Sequence, residues 1–145
     1  MKRLKEKKEK NDYVIVIGCG RLGASVADAL SDGGRSVLII DKDNDAFKKL
    51  SSSYGGLTLN GDATELHVLN EAGADKAAAV VIVTNNDNTN ILIAQLIKDR
   101  YGADNVIARL YEPERAYAYE GLNISTVCPA RLSANEINSL LQKGL

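Results

Sequence analysis

The sequence contains very few of the residues that build metal centres and histidine-based catalytic sites. Of its 145 residues only one is histidine, His67, and only two are cysteine, Cys19 and Cys128. The cysteines form neither a CxxC pair nor a zinc-ligand spacing. These absences exclude a histidine-rich metal centre. A Ser–His or Cys–His catalytic pair would have to use His67, and we predict that this residue lies on a helix surface.

Long hydrophobic runs are missing as well. The longest apolar run extends from Ala77 to Val83, far short of the ~20 residues needed to span a bilayer. The basic start of the chain is not followed by the apolar stretch of a signal peptide. We therefore expect a soluble, cytoplasmic chain.

Charge is divided unevenly along the chain. The first ten residues hold six basic and two acidic side chains, whereas the rest holds 12 basic and 17 acidic, a net charge of −5. Affinity for nucleic acid depends on clustered Lys and Arg that neutralise phosphates. The net negative charge of the residues after the first ten therefore argues against nucleic-acid binding. We predict that residues 1–12 form a basic, disordered tail. The alternative is that this tail contacts an anionic membrane surface or an acidic partner.

Short apolar runs rich in β-branched residues alternate with segments of helical spacing. Several runs are apolar throughout, as expected for strands covered on both faces. The predicted strands are Tyr13–Ile17, Ser36–Ile40, Leu57–Leu59, Ala79–Val83, Asn105–Ala108 and Ser125–Val127. Helices are predicted from the turn after Ile17 to Asp32, from Asp43 or Asn44 to Tyr54, from an N-cap at Thr64 to Gly73, from Asn85–Asn88 to Gly102, from Pro113 to Gly121 and from Leu132 to Leu141.

This alternation predicts the fold class. Neighbouring parallel strands need a crossover between them, and the crossovers are right-handed in nearly all cases. We predict that residues 13–145 form one α/β domain, a Rossmann-like doubly wound parallel sheet of six strands in the order 3-2-1-4-5-6. Strands one and six are then three spacings apart, roughly 14 Å, so a disulfide between Cys19 and Cys128 is not expected.

A glycine-rich turn joins the first predicted strand to the first predicted helix. It reads Gly18-Cys19-Gly20-Arg21-Leu22-Gly23, a complete GxGxxG motif. Gly18 makes the tight turn, Gly20 lets the backbone approach a pyrophosphate, and Gly23 lets the helix pack close to the strand. The N-terminus of the helix attracts the negative charge, and Arg21 is placed to contact a phosphate. The candidate cofactor site therefore includes Gly18, Gly20, Arg21, Leu22 and Gly23.

Asp41 closes the second predicted strand, 18 residues after Gly23. A carboxylate at this position accepts hydrogen bonds from both ribose hydroxyls and repels a 2′-phosphate. We therefore predict that the ligand is NAD or NADH, or ATP, ADP or AMP, and that NADP is disfavoured. Lys42 is included in the candidate site beside Asp41. The alternative is that Asp41 only caps the second helix, a role for which Asp43 is better placed.

Later segments complete an ordered set of motifs. They are Gly61-Asp62-Ala63-Thr64 after the third strand, Val83–Asn90 after the fourth, Val106–Arg109 with Glu112-Pro113-Glu114, and Val127-Cys128-Pro129. Together with the glycine motif and Asp41, this succession resembles the nucleotide-binding N-terminal domain of the TrkA-type family. These are the RCK or KTN domains that regulate potassium channels and transporters. The resemblance covers residues 13–141, nearly the whole chain.

The resemblance implies regulation by a bound nucleotide, without catalysis. It implies a cytoplasmic subunit, peripheral at the inner face of the cell membrane, that works with a membrane-embedded potassium channel or transporter. Such domains assemble as homo-oligomers, from dimers to octameric rings. Exchange of NAD with NADH, or of ATP with ADP, would change the conformation of the ring and so gate the pore.

The resemblance also implies a role for each candidate residue. The glycines and Arg21 would hold phosphates and Asp41 the ribose. Asp62 and Ala63 would line the adenine, Thr84 and Asn85 would approach the far half of the ligand, and Arg109 would face a phosphate or a neighbouring subunit. The alternatives are that Thr84 and Asn85 only cap the fourth helix and that Arg109 forms a structural ion pair.

Two features depart from the family pattern. Relatives that respond to ATP and ADP often carry a Glu after the last-strand proline that helps to bind a divalent metal. Here Ala130 follows Pro129, and no metal site is predicted. The usual C-terminal ligand-binding domain has no counterpart in these 145 residues. We therefore expect either a one-domain subunit that works with a second regulatory subunit or a piece of a longer protein.

Three alternatives stay open at this point. The last predicted helix carries Ile137, Leu140 and Leu141, which either form a dimer contact or pack on their own sheet. An NAD-dependent oxidoreductase is a rival function, although it needs a substrate pocket and a proton donor that a second domain usually supplies. A stand-alone NAD or adenylate sensor of a soluble partner is the other rival.

Overall fold

The computed structural model describes residues 11–145. The predicted basic tail therefore lies outside the described residues, except for Asn11 and Asp12. The Asn11 side chain donates a hydrogen bond to the carbonyl oxygen of Lys76 at 2.8 Å. This bond ties the start of the described chain to the segment that precedes the fourth strand.

Six parallel strands form one sheet within the described residues, in the order β3-β2-β1-β4-β5-β6. This arrangement confirms the predicted fold class. Because all the strands are parallel, the residues that follow each strand meet at the same edge of the sheet. The strands are β1 (Val14–Ile17), β2 (Val37–Asp41), β3 (Leu57–Asn60), β4 (Ala79–Ile82), β5 (Val106–Arg109) and β6 (Ser125–Val127).

Side chains of the central strand β1 alternate between two apolar layers. Val14 and Val16 pack in the layer that contains helix α1 (Arg21–Asp32). Ile15 and Ile17 pack in the opposite layer, with helices α2 (Leu66–Glu71) and α3 (Asp87–Tyr101). Burial on both faces explains why β1 is apolar at every position.

The crossovers are less regular than the sequence predicts. Residues 11–145 contain four α-helices and three 3₁₀ segments instead of six helices. The predicted second and fifth helices are the 3₁₀ segments Asn44–Lys49 and Pro113–Tyr119, and a third 3₁₀ segment covers Ala74–Lys76. The segment Asn44–Lys49 ends before the predicted Tyr54 because Leu50 is extended and the Ser51 amide donates to the carboxylate of Asp28 at 3.1 Å.

The predicted N-cap at Thr64 is wrong, because Glu65 precedes α2 as its N-cap. The Thr64 amide and hydroxyl both donate to Oδ1 of Asp62, at 2.9 and 2.7 Å. These bonds make an Asx turn that delays the start of the helix. Two other local predictions are confirmed. Asp43 caps the first 3₁₀ segment by accepting a hydrogen bond from the Asp45 amide, and the His67 side chain is exposed on α2.

The last helix, α4, covers Pro129–Gly144 and so begins before the predicted Leu132. None of its residues is buried. The side chains of Ile137, Leu140 and Leu141 are 52–57% exposed, so they do not pack on their own sheet. Between residues 11 and 145, none of the helices combines the length and the apolar character needed to cross a bilayer. Cys19 and Cys128 are both free thiols.

Candidate functional site

A cleft of about 500 Å³ opens at the carboxyl ends of strands β1 to β5. It crosses the point at which the strand order reverses, between β1 and β4. In open α/β sheets this point is where ligands bind. Nine of the candidate residues line the cleft: Gly18, Gly20, Asp41, Lys42, Asp62, Ala63, Thr84, Asn85 and Arg109.

The three motif glycines meet different surroundings. Gly18 has φ +104°, and a Cβ there would lie 2.8 Å from the Thr84 amide nitrogen. A Cβ on Gly23 would overlap the carbonyl oxygen of Gly18. A Cβ on Gly20, in contrast, would meet no atom within 4 Å. Gly18 and Gly23 are therefore required by internal packing, whereas Gly20 leaves open space in the cleft at the N-terminus of α1.

Arg21, Leu22 and Gly23 do not line the cleft. Arg21 is the exposed first residue of α1, and Leu22 packs against the apolar layer beneath that helix. Gly23 is buried. Of these three residues, only Arg21 has a side chain free to swing toward a ligand.

The carboxylate of Asp41 ties the end of β2 to the glycine turn. Its Oδ2 accepts a hydrogen bond from the Cys19 amide at 2.8 Å, and its Oδ1 accepts one from the Asp43 amide at 2.8 Å. Each oxygen keeps a further lone pair for another donor. The cleft therefore contains a fixed acceptor pair that suits two neighbouring hydroxyl groups.

Cys19 itself is buried, and its thiol donates to the carbonyl oxygen of Ala46 at 3.3 Å. Burial and the negative charge of Asp41 raise the pKa of the Cys19 thiol. A reactive thiolate is disfavoured at this position.

The Asx turn of Asp62 and Thr64 forms the wall of the cleft after β3. The two bonds from Thr64 lower the pKa of the Asp62 carboxyl below its ordinary value. Beside it, Ala63 is 5% exposed and packs against the core. The cleft lining here thus combines a small apolar side chain with a carboxylate that stays ionised.

A buried asparagine organises the opposite side of the cleft. The side chain of Asn90, in the first turn of α3, is completely inaccessible to solvent. Its Oδ1 accepts hydrogen bonds from the Thr84 amide, at 3.1 Å, and from the Thr84 hydroxyl. Its Nδ2 donates to the carbonyl oxygens of Thr84 and Arg109, at 3.2 and 3.1 Å. Asn90 thus fixes the ends of β4 and β5 relative to each other.

Neither Thr84 nor Asn85 is the N-cap of α3, which was the alternative to a role in ligand binding. Asn86 is the N-cap of α3 and accepts a hydrogen bond from the Thr89 amide at 3.0 Å. The Thr84 hydroxyl is directed to Asn90, and Asn85 is exposed and lines the cleft. Capping therefore does not account for Thr84 and Asn85.

Arg109 ends β5 at the far side of the cleft. Its guanidinium lies over the ring of Tyr111, 5.7 Å from the centroid, and it makes no ion pair with any described residue. Its buried Nε has no hydrogen-bond partner among residues 11–145. An unpaired buried donor is costly, so this atom suits an acceptor brought by a ligand.

Several residues that shape the cleft were missed by the sequence reasoning. Cys19, Asp43 and Lys49 also line it, and Asn90 holds it together. Asn90 had a detectable signal, because it is a polar residue on the same helical face as the buried Ile93, Ala94 and Ile97. Among the described residues, no group of three His, Cys, Asp or Glu side chains is placed to hold a metal ion.

The sheet order, the glycine turn, the acidic residue after β2 and the cleft at the strand ends define a domain of the Rossmann-like class. Residues 14–129 match the family described as TrkA-N domain. The chain therefore belongs to the TrkA-N domain family.

Known proteins of this family resemble the chain over most of its length. The Trk system potassium uptake protein TrkA of Streptomyces coelicolor is 38% identical over 133 residues, which cover 91% of this chain and 60% of that protein. The chain thus spans about three fifths of that relative.

Two solved structures have the same fold. The TrkA-N domain of the inner membrane protein ybaL from Escherichia coli aligns with a TM-score of 0.80 and 16% identity, over 92% of this chain and 98% of that chain. The Kef CTD of Shewanella denitrificans, solved in its AMP-bound form, aligns with a TM-score of 0.78 and 26% identity, over 92% of this chain and 82% of that chain.

Proposed function

We propose that this domain binds NAD or NADH, or one of the adenine nucleotides ATP, ADP and AMP, in the cleft at the carboxyl ends of its strands. The observation that carries the proposal is the open space at Gly20 beside the free lone pairs of Asp41. Phosphates bind where a helix N-terminus exposes amide groups, and ribose hydroxyls donate to a carboxylate. The AMP-bound form of a 26% identical relative supports the same class of ligand.

The proposed ligand extends across the cleft from β3 to β5. Asp62 and Ala63 contact the adenine, Asp41 and Lys42 lie at the ribose, and Gly18 and Gly20 lie against the phosphates, where Arg21 reaches them from outside. Thr84 and Asn85 approach the distal half of the ligand. Arg109 offers its unpaired Nε to an acceptor there. NADP is a poor ligand because its 2′-phosphate would face the carboxylate of Asp41.

We further propose that the domain is a regulatory subunit of a potassium transport system rather than an enzyme. The 38% identity to a Trk system potassium uptake protein supports this role. In this proposal the domain works at the inner face of the cell membrane as a homo-oligomer, up to an octameric ring, on a membrane-embedded transporter or channel. Nucleotide exchange gates that partner by favouring one conformation of the assembly.

Nucleotide binding is tested by thermal-shift titration with NAD, NADH, NADP, ATP, ADP and AMP. A ligand at 100 times its dissociation constant stabilises the fold by about 2.7 kcal/mol. We expect stabilisation by NAD, NADH or the adenine nucleotides, none by NADP, and its loss in Asp41→Ala. The matched control is Asp99→Ala near the exposed end of α3, where the Asp99 carboxylate pairs with the neighbouring Arg100 and does not line the cleft. If no nucleotide stabilises the wild-type chain, the proposal fails.

The regulatory role has its own test. The tagged chain is incubated with detergent-solubilised membranes of its source cells, and the retained proteins are identified with and without the nucleotide that binds. We expect a potassium channel or transporter subunit to be retained in a nucleotide-dependent amount. Retention of only soluble proteins would favour a stand-alone sensor, and turnover of NADH with a panel of carbonyl compounds would favour an oxidoreductase.

A further inference from the structure

Arg109 places a fixed positive charge in the cleft, at the end of β5. Its guanidinium carbon lies 5.7 Å from the centroid of the Tyr111 ring, within the range of a cation–π contact. The Tyr111 side chain is exposed and does not line the cleft. Its link to the proposed site is therefore its contact with Arg109.

The first turn of α3 fixes the backbone that carries these two side chains. Asn90 is completely buried, and its Nδ2 donates to the carbonyl oxygen of Arg109 at 3.1 Å. Asp87 is 8% exposed, and its carboxylate accepts hydrogen bonds from the amides of Tyr111 and Glu112, at 2.7 and 3.0 Å. Hydrogen bonds to a charged acceptor are stronger than neutral ones. One helical turn therefore holds this short stretch of backbone at three points.

The same helical turn connects Arg109 to the glycine turn that we propose holds phosphates. A Cβ on Gly18 would lie 2.8 Å from the amide nitrogen of Thr84. The Thr84 amide donates to Oδ1 of Asn90 at 3.1 Å, and Asn90 is bonded in turn to Arg109. In the sheet β4 lies between β1 and β5, so the ends of β1 and β5 are about 10 Å apart. A ligand that continues from the glycine turn toward β5 would bring its next group to the arginine.

The guanidinium of Arg109 is suited to an anionic group. Its buried Nε lacks a hydrogen-bond partner in the described part of the chain, and its charge is not paired with a carboxylate there. A guanidinium is always charged, and its planar fork of donors matches the oxygens of a phosphate. A neutral acceptor would satisfy the hydrogen bond alone, whereas a phosphate would also neutralise the charge.

We propose that Tyr111 and the first turn of α3 hold the Arg109 guanidinium in position for a second phosphate, so that the cleft prefers ADP to AMP. The positioning residues are Tyr111, Asp87 and Asn90. The tyrosine ring supports the guanidinium, and the two helix residues fix the backbone beneath both side chains. A side chain that is ordered before the ligand arrives loses less entropy on binding. This specificity rests on the proposed function, since it requires an adenine nucleotide in the cleft.

Calorimetric titration of the chain with AMP and with ADP tests the specificity. We expect the wild-type chain to bind ADP at least about tenfold more tightly than AMP, the equivalent of one hydrogen bond to a charged group. In Tyr111→Ala the affinity for ADP should fall by about two- to fivefold, the equivalent of an exposed cation–π contact, while the affinity for AMP stays the same. Tyr111→Phe keeps the ring and should keep the wild-type preference. Equal affinity of the wild-type chain for both nucleotides, or an equal loss for both in Tyr111→Ala, overturns the proposal.

A variant of the helix tests the backbone contacts separately. Asp87→Asn removes the charge and one of the two acceptors, and we expect it to lower the affinity for ADP and to leave the affinity for AMP unchanged. The control is Ile97→Val, which shortens a buried side chain of α3 that does not line the cleft. If the ratio of the two affinities changes as much in Ile97→Val as in Asp87→Asn, general loosening of the fold accounts for the effect and the role of Asp87 is overturned.

NMR relaxation of the Arg109 Nε–H group tests the positioning without any ligand. We expect an order parameter near 0.85, typical of a rigid group, in the wild-type chain and in Tyr111→Phe, and one below about 0.6 in Tyr111→Ala. A flexible Nε–H group in the wild-type chain, or an unchanged order parameter in Tyr111→Ala, overturns the positioning.

The two sets of measurements separate this inference from the proposed function. If AMP binds and ADP binds no more tightly, the proposed function stands and only the inference is overturned. If neither nucleotide binds, the proposed function fails and the preference for a second phosphate fails with it. The ligand-free order parameters then still decide whether Tyr111 holds Arg109.

Discussion

Gly20 and Gly23 belong to one motif, but only Gly23 is required by the packing of the folded chain. A Cβ on Gly23 would overlap the Gly18 carbonyl oxygen, whereas a Cβ on Gly20 would meet nothing within 4 Å. We expect Gly23→Ala to lower the free energy of unfolding by about 1–3 kcal/mol, as overpacked sites do. Gly20→Ala should change it by less than ~0.5 kcal/mol.

The same pair of variants separates folding from ligand binding. Because the Cβ of Gly20→Ala would occupy the space proposed for a phosphate, we expect its nucleotide affinity to fall by about tenfold, or 1.4 kcal/mol. Urea denaturation and calorimetric titration measure the two effects. Equal loss of stability in Gly20→Ala and Gly23→Ala would contradict this division of roles.

Asp62 provides a prediction about pH. Its pKa is lowered chiefly by the hydroxyl and then by the amide of Thr64. A carboxyl with a lowered pKa stabilises the fold at pH values above its unfolded pKa and loses that contribution as the pH falls through the folded pKa. Thr64→Val removes the hydroxyl, and we expect the pKa of Asp62 to rise toward its ordinary value.

An NMR titration of the Asp62 carboxyl measures this shift. Thr126→Val serves as the control, because Thr126 is exposed on β6 at the opposite edge of the sheet from β3. An unchanged Asp62 pKa in Thr64→Val would show that the hydroxyl bond does not hold the turn.

Single residues were predictable from the sequence where a motif fixes both type and position. Gly18, Gly20 and Asp41 follow from a strand, a turn and a helix in succession, and all three line the cleft. Asp87 and Asn90 were not predicted, because polar residues at a helix start usually cap it or face solvent. Asn90 is bonded to Thr84 and Arg109, and Asp87 accepts from the amides of Tyr111 and Glu112; these partners lie beside α3 only in the folded chain.

At the scale of whole elements, the strands were predictable and the crossovers were not. Strands such as β1 and β4 are apolar throughout because both faces are covered, and this pattern is local to the sequence. The 3₁₀ segments at Asn44–Lys49 and Pro113–Tyr119 carry the same start signals as helices, including Asp43 and Pro113. The first of them ends where the Ser51 amide donates to Asp28, a tertiary contact that the local sequence does not reveal.

The helix α4 provides a prediction at this scale. Its apolar side chains at Ile137, Leu140 and Leu141 are more than half exposed, and burial of such side chains drives association. We expect the chain to self-associate through α4 and Leu140→Glu to weaken this association by at least about tenfold, or 1.4 kcal/mol. The stability of the monomer should change by less than ~0.5 kcal/mol.

Sedimentation velocity over a range of protein concentrations measures this effect. The matched control is Ser139→Glu, which places the same charge on the neighbouring exposed residue of α4. Equal association of the wild-type chain, Leu140→Glu and Ser139→Glu would exclude α4 as the contact.

For the whole molecule, the order of the strands determines which residues meet. Motifs as far apart in sequence as Gly18 and Arg109 line one cleft because every strand between them ends at the same edge. The alternation of strands and crossovers was sufficient to predict this convergence. The direction of individual side chains, such as Arg21 outside the cleft, depends on packing that the alternation does not specify.

A final prediction concerns the coupling between nucleotide binding in the cleft and self-association of the chain. If a nucleotide favours one assembled state by a given factor, assembly must change the affinity for that nucleotide by the same factor. We expect this factor to be about 5–150, the usual range of coupling free energies of 1–3 kcal/mol. The factor differs between the two members of a pair, NAD with NADH or ATP with ADP, because exchange shifts the assembly only by the difference between their differential affinities.

Two measurements on the same chain give the factor independently. Sedimentation with and without saturating nucleotide measures the change in the association constant. Calorimetric titration at protein concentrations below and above those at which the chain associates measures the change in nucleotide affinity. Leu140→Glu should abolish the concentration dependence of affinity while keeping the affinity of the monomer. A factor of one in both measurements would mean that binding and assembly are independent, and nucleotide exchange could not gate a partner by changing the assembly.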